Sequence, residues 1–319
     1  MTGLERVCVV GAGAVGAVFG ARIAGPLSVL ARGATLAALR ERGWSLDGAA
    51  RPVTASDEAA DLGEQDVVIL TVKAHALPAL APALKPLLGP DTIVVPALNG
   101  VPWWFFPDRA LRSVDPDGTV AAVIDRSRVI GCVVHLSAAV TAPGEARLAA
   151  GNGLILGEPG GGSSARLDAV AGLLAGFDVT LSADVRRDVW YKLWGNMTVN
   201  PISALTGATA DRILDDPLVN GFAHAVMREA AAIGARIGCP IEQSPADRNA
   251  VTRRLGAFKT SMLQDAEAGR PLELDAMLSA VREIAEAEGV PTPSLDALLG
   301  LARLAARERG LYPEPRLFG

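Results

Sequence analysis

Four short apolar runs punctuate the first hundred residues: RVCVV (6–10), LSVLA (27–31), DVVILTV (66–72) and TIVVPAL (92–98). They are rich in valine and isoleucine and lack polar alternation, the pattern of strands buried on both faces. Between them lie AVGAVFGARIA (14–24) and AHALPALAPALKPLL (74–88), longer and rich in alanine and leucine, which predict helices. Strand–helix alternation at this pitch predicts a parallel, doubly wound sheet. From Val129 to Gly157 the pattern predicts several short strands broken by APGEA and AGNG. A helix over 163–177 and a last strand over DVTLS follow. Beyond about residue 183 the periodicity is helical, over 184–200, 217–238, 246–268, 272–288 and 293–309. Pro201 is expected to stop the first of these helices, and Gly269 with Pro271 to separate two others. The fold class is therefore α/β: a Rossmann-type sheet domain over 1–182, then an all-helical domain over 183–319.

At 319 residues the chain exceeds one ordinary core, in keeping with two domains. A net charge of −5 and no basic run argue against nucleic acid or an anionic membrane surface as partner. The N-terminal apolar run, only four residues long, makes neither a signal peptide nor a membrane helix. Cys8, Cys132 and Cys239 are odd in number and far apart, which predicts reduced core thiols in a cytoplasmic protein and no metal site.

Basic residues are informative by type. Of the 30, only Lys73, Lys85, Lys192 and Lys259 are lysines, so a retained lysine marks a place that needs a compact, titratable amine. Asparagine is also scarce; three of the six are Asn99, Asn196 and Asn200.

The segment Gly11-Ala12-Gly13-Ala14-Val15-Gly16 falls where the first strand gives way to a helix. The first glycine permits the tight turn, the second a close approach of backbone to a pyrophosphate, and the third helix-on-strand packing. The helix N-terminus adds N–H donors and a favourable dipole, so a dinucleotide site is predicted. Arg32 ends the second strand, where an NAD-specific site carries an acid, and no acid precedes Glu41. A guanidinium there clamps a 2′-phosphate, which favours NADPH; a surface arginine is the alternative. Lys73 and Asn99 follow the next two strands at the edge where such sheets bind ligands, although Asn99-Gly100 also reads as an ordinary turn.

From Val189 through Ala210, Lys192 is the single charged residue. On a helix Lys192, Asn196 and Asn200 share an arc of about 80 degrees, with Trp190, Leu193, Trp194 and Met197 on the adjoining face. A buried ammonium must snorkel to water, find a carboxylate or line a cavity, and the two asparagines favour a polar cavity. Glu273 is the candidate carboxylate; an acid in the first turn of a helix is equally explained by the helix dipole. His75 and His224 look incidental, while His135 either borders a ligand or sits satisfied in the core.

Together these residues resemble the ketopantoate reductase (2-dehydropantoate 2-reductase) family over nearly the whole chain. The shared features are the glycine motif, VKA at Lys73, NG at Asn99, W-x-K-x-x-x-N-x-x-x-N-P from Trp190 to Pro201, and S-M-x-Q-D…E from Ser261 to Glu273. The resemblance implies an NADPH-dependent enzyme of pantothenate biosynthesis that reduces a 2-oxo acid to a 2-hydroxy acid. It implies Lys192 as proton donor, Glu273 as its partner, and Asn196, Asn200 and Ser261 as substrate contacts. Gly11 to Gly16, Arg32, Lys73 and Asn99 would hold the cofactor; a homodimer is left open. Three features depart from the family pattern: the aromatic stretch VPWWFFPDRALRSVDPDG (101–118), Ala76 in place of glutamine and Ala210 in place of asparagine. They keep open a bulkier oxo acid or an imine as substrate. Trp103, Trp104, Phe105 and Phe106 would either lie over or beside the substrate pocket or form an aromatic plug in the interdomain interface. A non-catalytic NADP-binding sensor is the reading from another class.

Overall fold

Strand β1 (Val7–Val10) is buried along its length, as four apolar residues in a row require. The computed structural model describes residues 3–314. After β1 come β2 (Ser28–Leu30), β3 (Trp44–Leu46), β4 (Ala49–Arg51), β5 (Thr54–Ser56), β6 (Gln65–Leu70) and β7 (Leu88–Pro96). Then follow β8 (Gly131–Ala142), β9 (Glu145–Gly157) and β10 (Asp178–Leu181). The first sheet has the order β5-β2-β1-β6-β7, and every neighbouring pair in it is parallel. The order reverses between β1 and β6, which opens a crevice at their carboxyl ends. A second sheet, β10-β9-β3-β4 with β8 paired to β9, lies on the other side of the helix Ala14–Arg22. That helix is held by Trp44, whose ring occupies the space a side chain would take at Gly16 and Gly20. Phe19 meets Phe177 at 4.8 Å between ring centroids.

Three sequence expectations in this unit need correction. The stretch 74–88 is not one helix but two 3-10 segments, Ala74–Ala76 and Ala81–Leu87, around a single turn, Leu77–Leu80. Pro78, Pro82 and Pro86 remove an N–H every fourth residue, so an α-helical ladder cannot run through. Residues 129–157 form a long hairpin rather than several short strands. Its turn is Pro143-Gly144, with Gly144 at φ 77°, and the AGNG glycines lie within β9 opposite a shift in register at His135–Ala138. His135 itself is exposed, so it is no core residue.

The chain divides into two units that meet at Asp188 and Val189, inside the helix Val185–Thr206. The second unit is helical: Ala210–Asp215, Pro217–Arg236, Pro245–Arg253, Ser261–Glu267, a π turn Asp275–Ser279 running into Ala280–Glu288, and Pro293–Glu308. Pro201 does not stop the first helix, contrary to expectation; it lies inside it. Ile202, Ser203 and Ala204 beyond it are all buried, and this packing outweighs the hydrogen bond that proline forfeits, a cost of about 3 kcal/mol. The pattern over 246–268 is broken at Gly256, whose φ of 73° ends one helix, and Thr260 caps the next by accepting the Leu263 N–H at 3.1 Å. Glu229 accepts the N–H groups of Ser294 and Leu295, both at 2.9 Å, and fixes the start of the last helix. The second unit thus presents Lys192 and Glu273 on separate elements of one helical core.

Candidate active site

Gly11, immediately after β1, has φ 103°, and a side chain there would meet Val72 and the backbone at Thr71. Its N–H bonds the Leu30 carbonyl at 3.1 Å, so the turn is welded to β2. Gly16 faces the Gly11 carbonyl, the Thr71 hydroxyl and Trp44 so closely that no side chain fits. Gly13 differs: nothing stands within 4 Å of where its Cβ would be. It is the N-cap of the helix Ala14–Arg22, and no side chain among the described residues caps that helix start. Two glycines are therefore dictated by packing, whereas the middle one faces free space.

Arg32 lies two residues beyond β2 and is exposed, caps the helix Gly33–Arg42 with its backbone, and makes no side-chain bond among the described residues. Lys73, half-buried, comes three residues after β6, and Asn99, half-buried, three after β7. Gly100 beside it has φ 84°, so the turn reading of Asn99-Gly100 holds for the backbone. Glycine loop, Arg32, Lys73 and Asn99 thus gather at the carboxyl ends of four adjacent parallel strands. Sequence reasoning missed Thr71. Its hydroxyl donates to the Gly11 carbonyl at 2.6 Å and ties the turn after β6 to the glycine turn across the switch point. Its position directly before Val72-Lys73 was the available signal.

In the second unit Trp190 and Trp194 donate their indole N–H groups to the carbonyls of Ala230 (3.2 Å) and Met227 (2.7 Å) on the helix Pro217–Arg236. At 100 degrees per residue they stand about 160 and 200 degrees from Lys192, so these bonds orient the lysine stripe away from that helix. Lys192 and Asn196 are half-buried and Asn200 is 7% exposed, with its amide 3.9 Å from Met277 Sδ on the π turn. Ser261 is exposed in the first turn of its helix, positioned by the Thr260 cap. Glu273 is not in a first turn as expected. It precedes the helix, its carbonyl accepting the Met277 N–H at 3.3 Å, and it is only 6% exposed. A helix dipole alone does not account for burying a carboxylate so deeply.

The aromatic stretch is interior to the first unit. Trp103, Trp104 and Phe105 are buried, the Trp103 indole donates to the Ile124 carbonyl at 3.2 Å, and Trp104 lies against Gly131. Phe106 alone is half-buried, 3.9 Å beneath the Arg109 guanidinium. Ala210 is fully buried. The Cys8 thiol is pushed up to about 12 by burial, as expected of a core thiol. Among the described residues no cluster could hold a metal ion, and no helix is long and apolar enough to cross a membrane.

Two family models match the sequence, Ketopantoate reductase PanE/ApbA over residues 7–161 and Ketopantoate reductase PanE/ApbA C terminal over residues 184–306. The chain belongs to the ketopantoate reductase family. It is 42% identical to a 2-dehydropantoate 2-reductase of Mesorhizobium japonicum, over 96% of this chain and 99% of that one. A solved Ralstonia solanacearum structure assigned as a ketopantoate reductase superposes with a TM-score of 0.93 at 58% identity, covering 97% of this chain and all of that one. The fold is also that of a D-mandelate dehydrogenase solved with NADH and anilino(oxo)acetate, with a TM-score of 0.83 at 18% identity over 96% and 99% of the two chains. Membership of this family makes the chain an oxidoreductase.

Proposed function

We propose that the chain reduces a 2-oxo acid to its 2-hydroxy acid with NADPH, 2-dehydropantoate to pantoate in the first instance. One observation carries this reading: a half-buried lysine shares a helix stripe with two asparagines, and a carboxylate buried to 6% exposure stands in the same unit. The first unit fits a dinucleotide through the open space at Gly13 and the helix N-terminus behind it. The exposed Arg32 guanidinium is the group to engage a 2′-phosphate, with Lys73 and Asn99 as further cofactor contacts. Bound NADPH supplies the hydride that converts the C2 carbonyl to an alkoxide. The Lys192 ammonium stabilises the developing negative charge and donates its proton to that oxygen. Glu273 is the candidate carboxylate partner of that ammonium. Asn196, Asn200 and Ser261 bind the hydroxyl and carboxylate of the substrate without adding charge.

The test is NADPH and NADH oxidation against a panel of 2-oxo acids of increasing bulk and of the corresponding imines. Turnover with 2-dehydropantoate and a preference for NADPH support the proposal. A bulkier oxo acid turned over faster shifts the substrate. Cofactor binding without oxidation by any oxo acid or imine leaves only a sensor, and the enzymatic reading is then wrong.

A further inference from the structure

Glu273 sits in the non-helical connection between the helix Ser261–Glu267 and the π turn Asp275–Ser279. A carboxylate on a connection is only as well placed as the backbone on its two sides. Both sides are tied to one short segment after the last helix. On one side the Leu272 N–H donates to the Leu311 carbonyl at 2.9 Å. On the other the Tyr312 hydroxyl donates to Asp275 Oδ1 at 2.6 Å. The Ser279 hydroxyl donates to that same oxygen at 2.7 Å, and Arg303 Nη2 donates to Ser279 Oγ at 2.7 Å.

The segment is itself fixed. Gly310, at φ 67°, turns the chain back, and the buried Leu311 donates its N–H to the Ala306 carbonyl at 2.7 Å. Arg307 Nε donates to the Pro313 carbonyl at 3.1 Å, and the Arg307 and Arg303 guanidinia lie 5.4 and 6.0 Å from the Tyr312 ring centroid. Burial and the neighbouring Asp275 carboxylate push the Tyr312 hydroxyl up to about 12, so at neutral pH it is a donor. Leu311 and Tyr312 lie beyond residue 306, where the family match ends.

A single π turn holds one residue more than the α-helical register and is rare, found frequently at functional sites. Asp275, with the two hydroxyls that bond it, spans the whole turn. Were the turn to relax to α-helix, the chain just before it would rotate by about 100 degrees, and Glu273 with it. We infer that Tyr312 is a positioning residue for Glu273: through Asp275 it holds the π turn that aims the catalytic carboxylate. The inference rests on the Lys192–Glu273 reading given under Proposed function.

The experiment compares full-length Tyr312→Phe, Glu273→Gln and the double variant in steady-state reduction of the best 2-oxo acid from the panel. Tyr312→Phe is expected to lower kcat by up to about 10²-fold, the cost of a misplaced group, with the KM for NADPH unchanged. In the Glu273→Gln background it should cost nothing further. If Glu273→Gln lowers kcat while Tyr312→Phe does not, or if the two losses multiply, the inference is overturned and the proposed function stands. If Glu273→Gln leaves kcat at the wild-type value, the role of Glu273 and the inference fall together. Should Tyr312→Phe fail to fold, Ser279→Ala removes the other donor to the same oxygen and is read in the same way.

Discussion

An ammonium in the stretch from Val189 to Ala210, which holds no other charge, is costly unless that charge is used, and Lys192 is the residue where the cost meets chemistry. Lys192→Ala is expected to lower turnover by about 10² to 10⁴, the usual size of a general acid contribution, with little change in NADPH affinity. Lys192→Arg separates charge from acidity, because a guanidinium with a pKa above about 12 stays positive but is a poor acid. A lysine that merely snorkels tolerates that change. Near-wild-type turnover in Lys192→Arg therefore counts decisively against the proton-donor role. The spacing of Lys192, Asn196 and Asn200 was legible in the sequence because helical geometry follows from residue number alone. The burial of Glu273 was not, since an acid near a helix start is common for reasons that involve no partner.

At the scale of elements, the glycine turn and the aromatic stretch give opposite lessons. Gly13→Ala points its methyl into open space, so stability should stay within about 0.5 kcal/mol while NADPH dissociates more readily. Gly16→Ala drives a methyl against the Gly11 carbonyl and should destabilise by about 1–3 kcal/mol. Thermal melts with fluorescence titration of NADPH separate the two, and unchanged affinity in Gly13→Ala would remove the ligand from that space. The stretch at 103–106 read equally well as a pocket lid or a plug, because large aromatics serve either end. Trp104, buried against Gly131, packs within the first unit, and this favours a structural role for it. Trp104→Ala should cost about 3–5 kcal/mol of stability and leave the ranking of 2-oxo acids as it is. A changed ranking in a folded Trp104→Ala would restore the lid.

For the molecule as a whole, stability at low pH depends on carboxylates that the fold holds ionised. Glu158, just after β9, is kept below the usual carboxylate range by its hydrogen bond from Arg166, against the effect of burial and with help from Ser164. Arg166 also reaches the carbonyls of Ser127 and Val129 ahead of β8, so the pair ties the two ends of the long hairpin. A depressed folded-state pKa stabilises above the unfolded value of about 4.3, and that contribution disappears as pH falls through the folded value. Glu158→Gln should therefore melt below wild type at pH 7, by on the order of 1 kcal/mol for a partly exposed pair. The gap should close between about pH 5 and pH 3. A gap independent of pH would place the effect in packing rather than charge.

By itself the sequence determined the parallel sheet, the glycine turn at its edge, the helical second half and the Lys192 stripe. Each of these is a local period or spacing, written in consecutive residues. Only the tertiary structure decided where locality fails. Pro201 continues a helix because buried neighbours on both sides outweigh one missing hydrogen bond. Thr54–Ser56, three residues with little apolar character, is a strand because β2 offers it an edge. Thr71 is joined to Gly11 across 60 residues, and Glu273 is bracketed by a segment nearly 40 residues away. Such partners depend on where the folded backbone brings distant donors and acceptors, which no pattern along the chain encodes.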